Sequence, residues 1–171
     1  NTVKKMPRKE DMVLDAANIC RLGKDWVYLE SDSGNAKAYE WLCEQYPSIN
    51  IEKVNFYAGV HIDSTIVPLR EGLAICNKPR VKSKRYLPPC MKDWEIIWVE
   101  DVTAQVFYQY PYASKWIGLN MLSINDHTVI VDTAQLELST ILEKKGFTVI
   151  PHTLRHSRTL GGGHHCVTLD T

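Results

Sequence analysis

Cys166 stands at the end of Gly161-Gly162-Gly163-His164-His165-Cys166. Three glycines give that backbone conformations closed to other residues and let a substrate approach closely. A thiolate is a strong nucleophile, and a nearby imidazolium lowers the pKa of the thiol that forms it. His61 and Asp63 lie one residue apart in Val60-His61-Ile62-Asp63-Ser64-Thr65, so on an extended strand both side chains would share a face. His61 can partner the thiol and act as acid and base for successive proton transfers. Asp15, in Leu14-Asp15-Ala16-Ala17-Asn18, adds a second carboxylate beside Asp63, and such a pair can grip a planar guanidinium through bidentate hydrogen bonds. The set suits attack by sulfur on an electron-poor carbon flanked by nitrogens.

Each of these residues also has a plainer reading. A lone cysteine in a strand is most often a small buried hydrophobe. Asp15 before two alanines fits a turn or cap, and His61 with Asp63 fits a structural hydrogen-bonded pair equally well. A zinc site is the sharper rival, because His152, His156, His164, His165 and Cys166 crowd together and such ligands bind zinc. Yet on a strand His164 and His165 point to opposite faces, and His152 and His156 sit in a stretch that does not read as helix. With no recognised ligand spacing, no metal and no cofactor are expected.

These residues need elements to position them, and the order of elements repeats. Strand patterns over Ala17 to Arg21 and Trp26 to Glu30 precede a helix from Gly34 to Tyr46, with Tyr39, Leu42, Cys43 and Tyr46 on one face. Ser33 is the expected cap and Pro47 the stop; Ile49 to Phe56 closes the unit. The second unit runs through Ser64 to Val67, Leu73 to Cys76 and a Pro-rich connection to Glu95 to Val99, whose IIWV run reads as a buried strand. The third has strands at Leu119 to Ile124 and Thr128 to Val131, then a helix to Lys145 signalled by Asp132 with Gln135. Gly146 is its expected C-cap, and Phe147 to Leu154 the closing strand. A fourth unit is expected to begin with a strand from His165 to Leu169. The strand-strand-helix-strand order recurs at roughly 45 to 55 residues, a period typical of propellers and arrays. The three polar segments all fall just before a first strand, where a pseudo-symmetric propeller brings its units together.

Bulk properties narrow the function classes. At 171 residues, with 44% hydrophobic and 23% charged residues, the chain reads as a single domain, 1–171, able to bury a core. Its 20 basic and 20 acidic residues balance, without the basic excess of a nucleic-acid or membrane-surface binder. The one basic run, Lys78, Arg80, Lys82, Lys84 and Arg85, reads as a solvated loop. Five scattered cysteines without a C-x-x-C pair form no disulfide framework, so a reducing cytoplasm is expected. The polar start has no signal-peptide core, and no apolar run is long enough to span a bilayer. The start without Met and the stop at Thr171 make both ends read as cut, with further material expected before Asn1.

Taken together, the segments resemble the amidinotransferase branch of the pentein superfamily, which includes glycine and inosamine-phosphate amidinotransferases. The matching stretches are LDAANICRLGKDW (14–26), HIDSTI (61–66), LREGLAICNKPR (69–80), YASKWIGLNML (112–122) and LRHSRTLGGGHHCVTLDT (154–171). They cover nearly the whole chain, and HIDST, RTLGGG and HCVTLDT look closest to the bacterial inosamine-phosphate type. The resemblance implies an α/β propeller of ββαβ modules, here a partial pentein-type propeller of about three modules plus the start of a fourth, the C-terminal portion of such a protein. It implies that Cys166 attacks the guanidinium carbon of L-arginine, that ornithine leaves, and that the amidino group passes to an acceptor amine. By similarity His61 shuttles protons, Asp15 completes the catalytic set and Asp63 binds the guanidinium. Arg80 and Ser114 help hold the donor, Arg80 through its carboxylate. Ala113 departs from a second serine in glycine amidinotransferase, and His164 from a position that is usually aromatic. The family's N-terminal module, with a further substrate-binding carboxylate, has no counterpart here. Two other readings stay open: a deiminase-like guanidine hydrolase, since water can replace the amine, and an incompetent fragment that packs its open edges in a homo-oligomer.

Overall fold

The computed structural model describes residues 4–6, 11–57, 59–104 and 112–168. Antiparallel β1 (Ile19–Leu22) and β2 (Asp25–Leu29) open the first unit, and α1 (Ala36–Gln45) carries the chain to β3 (Asn50–Val54), parallel to β2. The second unit repeats this with β4 (Ile66–Arg70), β5 (Leu73–Asn77), a short α2 (Lys78–Val81), two 3-10 turns and β6 (Glu95–Val99). The third has β7 (Leu122–Asn125), β8 (Thr128–Asp132), α3 (Leu136–Lys144) and β9 (Thr148–His152). The expected ββαβ order is therefore present three times, as three-stranded sheets of order β1-β2-β3, β4-β5-β6 and β7-β8-β9. Among the described residues no helix is long and apolar enough to cross a membrane.

The packing explains why the middle strands read as unbroken apolar runs. Leu73 and Ile75 on β5 face a core shared with Val129 and Val131 of β8 and Leu138 and Leu142 of α3. Ala74 and Cys76 face the opposite way, into a core shared with Val27 and Leu29 of β2. A strand buried on both faces cannot alternate apolar with polar. Each fully buried Leu, Ile or Val contributes roughly 1.5–3 kcal/mol, so these two inter-unit cores bind the units to one another. The first strands lie innermost, with β1 beside β4 and β4 beside β7.

Several local expectations are corrected. Asn35, not Ser33, caps α1, accepting the Ala38 N–H at 3.1 Å, while Ser33 donates its hydroxyl to Asn18 at 2.7 Å. The Asp132–Gln135 capping signal does not form, because Gln135 turns away to bond the backbone N–H and C=O of Thr103. Gly146 does follow α3 with φ +85, the left-handed conformation that ends helices at glycine. The chain leaves β9 into α4 (Arg155–Thr159), a helix the spacing did not announce. The basic run is no uniform solvated loop: Lys82, Lys84 and Arg85 are exposed, but Lys78 and Arg80 lie on α2 and are half-buried.

The strand expected at His165 to Leu169 is a turn over 164–167, and Leu169 lies outside the described residues. The reason is where its backbone donors go. The N–H groups of His164 and His165 both reach the carbonyl of Asn120, at 2.8 and 3.4 Å, and that of Cys166 reaches the Asn120 side chain at 3.1 Å. Donors drawn to one residue cannot form a ladder.

Candidate active site

Each inner strand starts at a buried polar residue: Asn18 before β1, Thr65 before β4 and Asn120 near the start of β7, all at most 1% exposed. Buried polar groups must find partners, and these find them in the neighbouring loops. Asn18 donates to the Leu29 carbonyl at 2.7 Å and to Val60 of the next unit at 3.3 Å. Thr65 accepts from Arg80 at 2.9 Å. Asn120 donates to Asp63 at 2.7 Å. Neither asparagine was singled out from the sequence; the available signal was an amide set directly against an apolar run, in Asn18-Ile19-Cys20 and Leu119-Asn120-Met121-Leu122.

Two of the expected site residues meet in a half-exposed pair, with His61 Nε2 at 3.2 Å from Asp15 Oδ2. Asp15 Oδ1 also accepts the Ala17 N–H at 2.9 Å, so the turn-capping reading of Asp15 holds as well. Two more meet in a second pair, with the Cys166 thiol donating to Asp63 Oδ2 at 3.4 Å. His61 and Asp63 do not share a strand face, because 61–65 is a turn entering β4. The turn sends His61 to Asp15 and Asp63 to Cys166. Between them Ile62 is 1% exposed, and its N–H bonds the Ala17 carbonyl at 3.0 Å, which pins the two pairs on either side of one buried residue.

Arg80 reaches in from α2 to Ser64 Oγ at 3.0 Å and Thr65 Oγ1 at 2.9 Å. Burial holds its guanidinium below the usual value, only partly offset by the charge of Asp63, and a guanidinium stays protonated near neutral pH all the same. Ser114 is exposed, at the start of the 3-10 turn Lys115–Leu119 that leads to Asn120. Among the described residues no hydrogen bond or ion pair joins its side chain to the other five candidates.

The electrostatics centre on Asp63. Burial pushes its carboxyl up, but bonds from His165, Asn120 and Cys166 outweigh this and hold it below the usual carboxylate range. Asp63 is therefore an anion, and His165 Nδ1 lies 3.3 Å from it. The Cys166 thiol is raised, first by partial burial of the sulfur and then by the charge of Asp63. Both effects favour the protonated sulfur, which donates its hydrogen bond to Asp63.

His164 and His165 do point apart, but from a turn and not from the strand that the argument against zinc assumed: His165 faces Asp63 at 3.3 Å, while His164 is buried 3.3 Å from His152. His156, contrary to expectation, is helical, on α4. Among the described residues no group of three or more His, Cys, Asp or Glu is arranged to hold a metal ion.

Gly163 is glycine for want of space. A Cβ there would lie 2.5 Å from Asn120 Oδ1 and 2.6 Å from Asn120 Cβ. Gly163→Ala must displace the buried amide or the turn, and overpacking of that kind costs about 1–3 kcal/mol. The denaturation midpoint should fall accordingly, and a variant as stable as the parent would contradict the contact.

No profile of a known protein family matches the chain. Individual proteins do. Inosamine-phosphate amidinotransferase 1 of Streptomyces griseus is 43% identical over 166 residues, covering 94% of this chain and 47% of that protein. The solved structure of inosamine-phosphate amidinotransferase from Streptomyces griseus superposes with a TM-score of 0.88 at 41% identity, over 95% of this chain and 47% of the other. A dimethylarginine dimethylaminohydrolase structure reaches a TM-score of 0.70 at 16% identity, over 92% and 57%, a likeness of fold alone. The chain thus spans about half the length of the curated relatives it matches.

Proposed function

The chain belongs to the amidinotransferase family, and from that premise we propose that it moves the amidino group of L-arginine to an acceptor amine through a covalent adduct on Cys166. The observation that carries this reading is the 3.4 Å hydrogen bond from the Cys166 thiol to the Asp63 carboxylate, with the Asp15–His61 pair supplied by the same turn at 61–65. An arginine guanidinium that pairs with Asp63 takes over the acceptor of the thiol proton and sets a cation beside the sulfur. Both effects favour the thiolate, so nucleophile and electrophile are produced by the same binding event. Sulfur then bonds to the guanidinium carbon and the carbon–nitrogen bond to ornithine breaks. The thiol proton goes to the departing amine, with His61 as carrier and Asp15 orienting its ring. In the second half an acceptor amine bonds to the same carbon, gives its proton to His61 and releases the thiol. Covalent capture splits one hard exchange into two easier steps.

Arg80, a cation held by Ser64 and Thr65 within reach of the Asp63 charge, meets the donor carboxylate in this reading, and Ser114 contributes a hydroxyl. The 171 residues act as one domain. All five cysteines are free, which fits a reducing compartment, the cytoplasm.

The test is incubation of the full chain with guanidino-labelled L-arginine, followed by acid quench and peptide mapping. Label on the Cys166 peptide, ornithine in matching amount, and transfer of the label to added glycine or an amino-inositol phosphate are expected. Citrulline formed without any amine would make the chain a hydrolase. No label on Cys166 at any arginine concentration would remove the covalent reading.

Asp63→Asn should act in opposite directions on two measurements. Without the anion beside it the thiol ionises more easily, so iodoacetamide should alkylate Cys166 several-fold faster near neutral pH. Without its carboxylate partner the guanidinium is lost, and labelling by arginine should fall roughly 10²-fold, in line with truncation of a buried charge pair. Two changes of the same sign would show that Asp63 does not mediate between donor and thiol.

A further inference from the structure

We propose that Asn120 is a positioning residue for the nucleophile: it locks the Asp63 carboxylate and the Cys166 turn into one rigid unit. The proposal rests on the reading above only for the identity of the electrophile that Cys166 attacks. Asn120 is 1% exposed and every polar group it carries is used. Its Nδ2 donates to Asp63 Oδ2 at 2.7 Å and its Oδ1 accepts the Cys166 N–H at 3.1 Å. Its carbonyl accepts the N–H groups of His164 and His165, and its own N–H reaches Ile117 at 3.0 Å.

The side chain must be an asparagine. One end donates and the other accepts, at a fixed separation. Aspartate lacks the donor, glutamine is one methylene too long for a space where Gly163 already leaves no room for a Cβ, and an apolar residue would strand the Cys166 N–H. Asp63 Oδ2 is shared among Asn120, His165 at 3.3 Å and the Cys166 thiol at 3.4 Å. The bond from Asn120 is the shortest of these, so it sets the carboxylate rotamer, and the sulfur meets an oxygen already aimed and already partly neutralised by hydrogen bonding. A free carboxylate would draw the thiol proton more tightly and hold the sulfur as thiol.

Asn18 bridges adjacent units from an equivalent place, so a purely structural role is the competing account. The two separate in the pH profile of Cys166. Iodoacetamide alkylation of the full chain, followed by peptide mapping from pH 6 to 10, gives the midpoint of thiolate formation. Asn120→Asp keeps the acceptor for the Cys166 N–H but sets a second carboxylate against Asp63, and should raise the midpoint by about one unit or more. Asn120→Ala should raise it less. In an Asp63→Asn background the Asn120→Ala shift should largely collapse, because Asn120 acts mainly through that carboxylate, whereas Asn120→Asp keeps the repulsion of its own charge on the sulfur. An Asn120→Ala shift that persists in full without Asp63, or an unmoved midpoint in a folded Asn120→Asp chain, overturns the proposal. Loss of the fold in both Asn120 variants, with or without Asp63, marks a structural role and overturns it too. If wild-type Cys166 takes no label from arginine yet the coupled shifts appear, the transfer chemistry falls and this proposal stands. Label with uncoupled shifts gives the reverse.

Discussion

Cys166→Ala is expected to abolish labelling by arginine and amidino transfer together, a loss on the order of 10⁴-fold or more, as for removal of other enzyme nucleophiles. The same change should leave stability within about 0.5 kcal/mol, the usual range for a surface position, because Cys166 is exposed. Its neighbours do not depend on the sulfur: the turn is held by its backbone N–H groups on Asn120, which alanine retains. The other thiols cannot substitute. Burial pushes Cys20 and Cys76 up to about 12, and Cys90 is raised to about 12 as well, by burial and then by Glu52, so near neutral pH they are thiols, not nucleophiles. Cys43 lies on α1, beside the core under that helix. Transfer that survives Cys166→Ala would rule out sulfur attack from this position, whatever the state of the fold.

The largest stability effect is expected at Arg158→Leu. Arg158 on α4 pairs with Asp132 at the end of β8, and both side chains are 5% exposed or less. Taking one partner from a buried pair leaves an uncompensated charge and costs about 3–5 kcal/mol. Asp132 keeps the bond from the Ala134 N–H at 2.9 Å, which softens the loss without removing it. The double variant Asp132→Leu with Arg158→Leu should recover much of the stability, since two apolar groups need no partner. Equilibrium denaturation of the three chains measures this, and a single-variant loss below about 1 kcal/mol would mean that water already reaches the pair. Arg158 also matters for the site. It anchors the helix from which the chain enters the Gly161 to Cys166 turn, so the pH midpoint of Cys166 alkylation should fall toward that of an exposed thiol as that turn loosens and the sulfur leaves Asp63.

The local pattern along the chain was enough to find the three ββαβ units. Glu95–Val99 reads as a strand because IIWV is β-branched and aromatic, and it is one. The end of α3 was legible in Gly146, since a left-handed residue after a helix is a local matter. Cys166, His61, Asp15 and Asp63 were legible as chemically capable residues, and their wording pointed to the amidinotransferases.

What was not legible was which of them touch. Extended geometry put His61 and Asp63 on one face, but a turn at 61–65 sends one to Asp15 and the other to Cys166. A strand was expected at His165, and Asn120 withdraws its donors instead. Sequence by itself determined the strands of the three units and the helices α1 and α3, because strand and helix periodicity records burial residue by residue. The short α2 and α4 and the turn at His165 carry too little periodicity to be read that way. Tertiary structure alone decided the site, because its bonds join Asp63 to Cys166 across 103 residues and Asn120 to Cys166 across 46. Such bonds form only after the apolar cores have set the inner strands side by side. The packing of the units thus chooses the partners of residues whose chemistry the chain already carried.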